Sequence, residues 1–285
     1  MSKIQKVTVL GTGVLGSQIA FQAAFHGFEV TAYDITDEIV AGAHARFTGL
    51  GEAYKADRAV KATDAQVAAA LQNLTVTSDL ASAVADADLV IEAVPEVLQV
   101  KRDTYAKLAA LAPEKTIFAT NSSTLLPSDL KEYTGRPDRF LALHYANQVW
   151  RYNTAEIMGT PDTDSEVVAK VVEFAVGSGM QPIVLKKEKA GYVLNSLLVP
   201  LLNAGAGLLL GGYADAETID RCWRIATGAP AGPFQIFDLV GLTTAYNISA
   251  ASPDPQSQAW ASYLKENFID KGKLGVGTGE GFYRY

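Results

Sequence analysis

"KVTVLGTGVLGSQIAFQAAFHGFEVTAYD", residues 6–34, decides the fold. It opens on a β-rich apolar run, Lys6–Leu10, of the length expected for a buried strand. Gly11, Gly13 and Gly16 follow at once. The apolar periodicity from Val14 to about Phe25 predicts a helix that stops near Gly27. Glu29–Tyr33 is a second β-rich run, and Asp34 closes it. In such a strand–turn–helix each glycine has its own task. Gly11 permits the tight turn, Gly13 lets the backbone approach a pyrophosphate, and Gly16 lets the helix pack closely on the sheet. The helix N-terminus offers free N–H groups and a positive dipole end to a phosphate. Asp34 is placed to accept hydrogen bonds from ribose hydroxyls, and its charge would repel a 2′-phosphate. Ile35 and Thr36, the next residues, bring no arginine. The stretch predicts a dinucleotide site that favours NAD(H) over NADP(H). FAD shares the glycine spacing, but further flavin-binding segments are not found.

Outward from that stretch the αβ rhythm continues. Helices are predicted over 39–58 and 64–71, with a strand over 74–77. "ADLVIEAVPE" (87–96) reads as a buried strand running into a loop. "VLQVKRDTYAKLAALAP" is a helix stopped by Pro113, and "KTIFATNSST" and "RFLALHYAN" supply further strands. This alternation predicts an α/β fold with a parallel, doubly wound, Rossmann-like sheet. Ligands of such sheets lie past the carboxyl ends of the strands. Glu92, Glu96, Asn121, Ser122, Ser123 and His144 fall at or just after those ends, and Asn121 is read with the cofactor contacts.

Near residue 185 the composition turns helical. "KKEKAGYVLNSLLVPLLNAGAGLLLGGYADAETIDRCWRIATG" reads as one long apolar helix, with Asn195 in its middle, and a capped second helix from about Asp215. "GPFQIFDLVGLTTAYNIS" and "DPQSQAWASYLKENFIDKG" are read as one helix each. The predicted organisation is a dinucleotide-binding domain over 1–186 and a C-terminal all-helical dimerisation and substrate domain over 187–285. The apolar surplus of the long helix leads us to expect a homodimer.

Bulk properties narrow the field. The 285 residues carry a net charge of -7, and no Lys/Arg cluster marks a nucleic-acid face. One cysteine, Cys222, allows no internal disulfide and no multi-cysteine metal site, and no metal is expected. Cys222 reads as a packed helix residue. No signal peptide is recognised, and the best apolar run is broken by Asn195, Pro200 and Asn203. A cytoplasmic protein acting on a small molecule, with no nucleic acid or membrane partner, is expected.

A nicotinamide enzyme acting on an alcohol needs a base that becomes an acid in reverse. Of three histidines, His26 and His44 fall in predicted helices, and His144 alone falls at a strand end. An imidazole needs a carboxylate to fix its tautomer, and Glu156 on the next predicted strand could reach back to it. Ser123 could bond the reacting oxygen.

Here the chain resembles the short-chain L-3-hydroxyacyl-CoA dehydrogenase family, 3-hydroxybutyryl-CoA dehydrogenases included. The pieces that carry the resemblance are "VLGTGVLGSQIA", "DADLVIEAVPE", "FATNSSTL", "HYAN", "AEI", "GYVLNSLLVPLLN", "GAPAGPFQIFDLVGL" and "GKLGVGTGEGFY". The resemblance implies His144 as catalytic base, Glu156 as its partner and Ser123 on the substrate oxygen. It implies Asn147 and Asn195 bordering nicotinamide and substrate. It places Gly11, Gly13, Gly16, Asp34, Glu96 and Lys101 on NAD.

The departures bear on substrate. Where the family reads His-Phe-Phe-Asn-Pro-Val-Pro, this chain has His144-Tyr-Ala-Asn147-Gln-Val-Trp150-Arg151-Tyr152. Leu50 and Asp57 stand where the family has a Ser and a Lys for the CoA phosphates, and Gly277 stands where a lysine is common. The chain is similar to the diketoreductase branch, which reduces keto esters lacking CoA. A CoA thioester, a keto ester or a sugar acid (an L-gulonate 3-dehydrogenase-like activity) stays open as substrate. A non-catalytic NAD-binding structural protein and a relative using Lys186, Lys187 or Lys189 as acid/base are the alternatives.

Overall fold

The computed structural model describes residues 3–285. Its strands are β1 (Lys6–Leu10), β2 (Glu29–Tyr33), β3 (Leu74–Thr77), β4 (Leu89–Glu92), β5 (Ile117–Thr120), β6 (Phe140–Tyr145), β7 (Thr154–Gly159) and β8 (Gln181–Val184). The four central runs β1, β4, β5 and β6 are buried almost end to end. That is the signature of strands covered on both faces. They pair in the order β3-β2-β1-β4-β5-β6-β7-β8, parallel from β3 through β6. The winding reverses between β1 and β4, and the carboxyl ends there form the crevice in which such sheets bind ligands.

The expectation of a parallel sheet is met except at one place. β7 runs antiparallel to β6, and β8 is parallel to β7. A parallel neighbour needs a crossover element, whereas residues 146–153 form only a short turn-rich link. The antiparallel register sets His144 directly opposite Glu156.

In the first unit, which ends at Val193, helices α1 (Val14–Phe25), α2 (Asp37–Ala56), α3 (Asp64–Gln72), α4 (Leu80–Val84), α5 (Leu98–Leu111) and α6 (Ser165–Gly177) cover the sheet. α2 starts and stops two residues before its predicted bounds. Thr36 caps its start by accepting from the Ile39 N–H. Asp57 stops it by taking extended backbone and accepting from the N–H groups of Ala59 (2.8 Å) and Val60 (3.2 Å).

The second unit, Leu194–Tyr285, holds α7 (Leu194–Leu210), α8 (Ala216–Thr227), α9 (Pro233–Val240), α10 (Leu242–Ala251) and α11 (Pro255–Asn267). Asp215 caps α8, as predicted. Three readings are corrected. The long helix begins only at Leu194, because Gly191 and Tyr192 take positive φ of 80° and 50° just before it, so Asn195 lies in its first turn and not in its middle. Gly241, with φ 94°, splits the predicted helix over 232–249 into α9 and α10. Cys222 is exposed, because α8 turns only Ile219 and Asp220 fully inward. The core of this unit gathers Phe234, Phe237, Trp260 and Leu264, with Phe282 packed against it.

Candidate active site

The glycine turn has the geometry its sequence demands. Gly11 has φ 98°, and its N–H donates to the Tyr33 carbonyl at 2.8 Å. A Cβ on Gly16 would sit 1.9 Å from the Gly11 carbonyl oxygen, so no larger residue lets α1 approach this closely. At Gly13 a side chain would meet nothing within 4 Å. That open space lies at the α1 N-terminus, which no side chain caps. It belongs to a cavity of about 190 Å³ bordered by Gly13, Gly16, Val94, Glu96, Asn121 and Ser123. An unfilled cradle against free N–H groups fits the pyrophosphate of a dinucleotide.

Asp34 stands beside this turn. Its Oδ2 accepts from the Thr12 N–H (2.7 Å) and hydroxyl (2.8 Å), and its Oδ1 from the Ile35 N–H (2.8 Å). The fold also brings Arg46 of α2 within 3.2 Å of the Thr12 hydroxyl. Nothing in Ile35 or Thr36, the residues that follow Asp34, signals this arginine. Only the packing of α2 reveals it.

The other wall of the cavity is charged. Glu92, fully buried at the end of β4, accepts from Lys101 Nζ (2.6 Å), the Val94 N–H (3.0 Å), Thr120 Oγ1 (2.8 Å) and the Tyr105 hydroxyl (3.3 Å). Burial pushes the Glu92 carboxyl up, against the pull of the Lys101 ammonium. Lys101 is itself buried and also lies 3.3 Å from Glu96. Glu96 accepts from the Ser122 hydroxyl, the Ser123 N–H (3.1 Å), and the N–H (3.0 Å) and hydroxyl (2.8 Å) of Thr124. Partial burial pushes its carboxyl up. Ser122, Lys101 and Thr124 outweigh that and hold it at about 2. Glu96 and Lys101 thus border the cavity with their charges engaged, and fix the 122–124 turn that carries Ser123.

That turn faces the predicted catalytic pair. His144 Nδ1 lies 2.9 Å from Glu156 Oε2, both side chains being almost wholly buried. His144 Nε2 lies 3.1 Å from Ser123 Oγ. A carboxylate only accepts, so the ring carries hydrogen at Nδ1 and turns Nε2 toward Ser123. Opposed residues of an antiparallel pair share a face with Cβ atoms about 4.5–5.5 Å apart, which suits an imidazole and a carboxylate. The Val193 N–H holds the second Glu156 oxygen at 2.9 Å.

The remaining predicted residues are placed as follows. Asn121 lines the cavity and accepts from the Tyr145 N–H at 2.9 Å, tying β5 to the end of β6. Asn147 is exposed just past β6. Asn195 is half-buried in the second unit. Among the described residues no group of three or more His, Cys, Asp or Glu gathers to hold a metal ion.

The 146–153 link is anchored at three points. The Gln148 N–H donates to Gln18 at 2.7 Å, Trp150 packs on Tyr54 with ring centroids 5.1 Å apart, and Arg151 reaches Asp57 through Nε (3.0 Å) and Nη2 (2.9 Å). Asp57 is held below the usual carboxylate range by the Ala59 N–H, against burial, with Val60 and Arg151 adding to it. At the position where the resemblance sets a lysine for CoA, Asp57 would repel a phosphate. The carboxylate is buried and paired, and Leu50 packs on the core. Residues 57 and 151 lie too far apart in the chain for a local pattern to join them.

Residues 6–189 match the family of the 3-hydroxyacyl-CoA dehydrogenase NAD binding domain, and residues 191–285 that of its C-terminal domain. The mitochondrial hydroxyacyl-coenzyme A dehydrogenase of Rattus norvegicus is 36% identical over 291 residues, 99% of this chain and 91% of the relative. Among solved structures, a diketoreductase described for substrate-directed dual catalysis of dicarbonyl compounds is 67% identical, with a TM-score of 0.96 over 100% of both chains. (S)-3-hydroxybutyryl-CoA dehydrogenase PaaH1 from Ralstonia eutropha is 28% identical, with a TM-score of 0.82 over 99% of both chains.

Proposed function

The chain belongs to the 3-hydroxyacyl-CoA dehydrogenase family of NAD-dependent oxidoreductases, and from that premise we propose that its own substrates are 3-oxo and 3-hydroxy esters without CoA. The observation that carries this reading is the Asp57–Arg151 pair. Where the family resemblance sets a cation for CoA phosphates, this chain has a buried carboxylate, ion-paired with Arg151. The likeness to a diketoreductase acting on dicarbonyl compounds supports the same reading.

Gly11, Gly13, Gly16 and the start of α1 would hold the cofactor pyrophosphate, and Asp34 the adenosine ribose. Glu96, Lys101, Asn121 and Asn147 would border the nicotinamide half. Bound NAD(H) supplies or accepts the hydride. In the reductive direction His144 Nε2 donates a proton to the substrate oxygen as negative charge grows there, while Ser123 Oγ fixes that oxygen. Glu156 holds Nδ1–H and stabilises the ring when it is charged. In the oxidative direction Nε2 takes the hydroxyl proton.

A kcat/KM comparison of acetoacetyl-CoA with ethyl acetoacetate tests the substrate class. The ester is expected to win, and a strong preference for the thioester would refute the reading. We also assign a homodimer, supported by the exposed Leu197, Val199 and Leu208 of α7. A monomer in sedimentation at micromolar concentration would remove that assignment. A cytoplasmic location accords with the single free thiol of Cys222, and cell fractionation checks it. Among the described residues no helix is long and apolar enough to cross a membrane.

A further inference from the structure

We propose that Tyr192 is a positioning residue for the acid/base imidazole, an inference that rests on the acid/base reading of His144 given above. Its ring lies almost parallel to the His144 ring, with centroids 4.4 Å apart and planes 8° apart. The side chain is fully buried. Its hydroxyl donates to the Ser122 carbonyl at 2.7 Å, immediately before the serine that meets His144 Nε2. The next residue, Val193, donates its N–H to Glu156. One two-residue step therefore holds the serine turn, the imidazole face and the carboxylate together.

The backbone reinforces the point. Tyr192 has φ 50°, directly after Gly191 at φ 80°. A bulky side chain in the left-handed region is uncommon and costs energy. Such a conformation persists only where its surroundings over-determine it, and it marks sites where strain serves a purpose. Here the reversed backbone aims the Val193 N–H at Glu156 while the ring lies flat on the imidazole.

The physics of the stack explains the gain. The two in-plane bonds, from Nδ1 to Glu156 and from Nε2 to Ser123, fix the rotation of the imidazole within its plane. Neither resists a swing of the ring about the axis through its two nitrogens, which tilts the ring while changing both lengths little. An aromatic face 4.4 Å away blocks the tilt and keeps water from that side of the ring. The electron-rich face also attracts the ring when it is protonated, the form that must deliver its proton in reduction.

The test is steady-state reduction of ethyl acetoacetate with NADH by the full protein, with His144→Gln as reference. Tyr192→Leu is expected to lower kcat about tenfold, well short of the about 100-fold that a 1 Å misplacement can cost. KM values and NADH binding by fluorescence should stay within about twofold, because the Tyr192 ring lies on the imidazole and is not among the residues that border the cavity. The solvent deuterium isotope effect on kcat should rise, since a misplaced imidazole makes proton transfer slower. Tyr192→Phe keeps the ring and should restore kcat to within about threefold of the parent. Tyr192→Met, similar in length and without a ring, repeats the test if the leucine variant does not fold. A Leu or Met variant with parental kcat and isotope effect would overturn the proposal, as would a Phe variant as slow as they are. If His144→Gln itself turns over normally, the acid/base reading fails instead, which separates the two failures.

Discussion

Glu92 and Glu156 are both buried in the first unit, and each faces a basic side chain at hydrogen-bond distance, 2.6 Å to Lys101 and 2.9 Å to His144. The partners differ in what they can give up. An ammonium's ordinary pKa lies far above neutrality, whereas an imidazole's lies near 6.5. Glu92 is surrounded by Lys101, Val94, Thr120 and Tyr105, a closed set of donors. The imidazole beside Glu156 keeps Nε2 turned toward Ser123. The same burial surrounds one carboxylate with donors, and under the acid/base role proposed for His144 it leaves a movable proton beside the other.

The sharpest break of that comparison is His144→Gln. Turnover should fall about 10²-fold or more, the usual worth of a general acid/base, with NADH binding unchanged by fluorescence titration. Near-normal turnover would leave both carboxylate pairs as braces. Next in size is Lys101→Met, which strands Glu92 in the core. Stability in urea should drop by about 3 kcal/mol or more, and a Glu92→Leu/Lys101→Met double variant should recover most of it. A double variant no better than the single would show that the pair is not the source. The smallest effect concerns Glu96, partly exposed between the two regions. Its folded-state value of about 2 lies below the ordinary 4.5. Its contribution is therefore present above pH 4.5 and is lost as pH falls toward 2. Glu96→Gln should flatten that part of a stability–pH curve, and an unaltered curve would mean its hydrogen bonds carry no net charge preference.

The comparison also separates what the chain discloses locally from what it does not. The β1–α1–β2 stretch is legible because every cue, the apolar run, the three glycines and the closing Asp34, falls within one short window. His144 and Glu156 are legible as strand residues, and their contact needs only an antiparallel turn between them. The Gly191–Tyr192 break escapes because periodicity continues across it, so Asn195 is read too deep in its helix. Arg46 on Thr12 and Arg151 on Asp57 escape for another reason. Propensity and spacing describe a segment's own shape, whereas these contacts depend on how whole helices and loops pack. Cys222 escapes because a helix pattern predicts a face, not how much of that face is covered.

The Asp57–Arg151 bridge has a consequence for engineering. Exchanging Arg151 alone leaves the buried Asp57 carboxylate on its two backbone N–H groups with no ion partner, and exchanging Asp57 alone frees the half-exposed Arg151. A double-mutant cycle across the two positions should therefore show an interaction energy, as contacting charges do. A graft intended to move this enzyme toward a bulkier, more anionic substrate has to carry both ends of the bridge in one step.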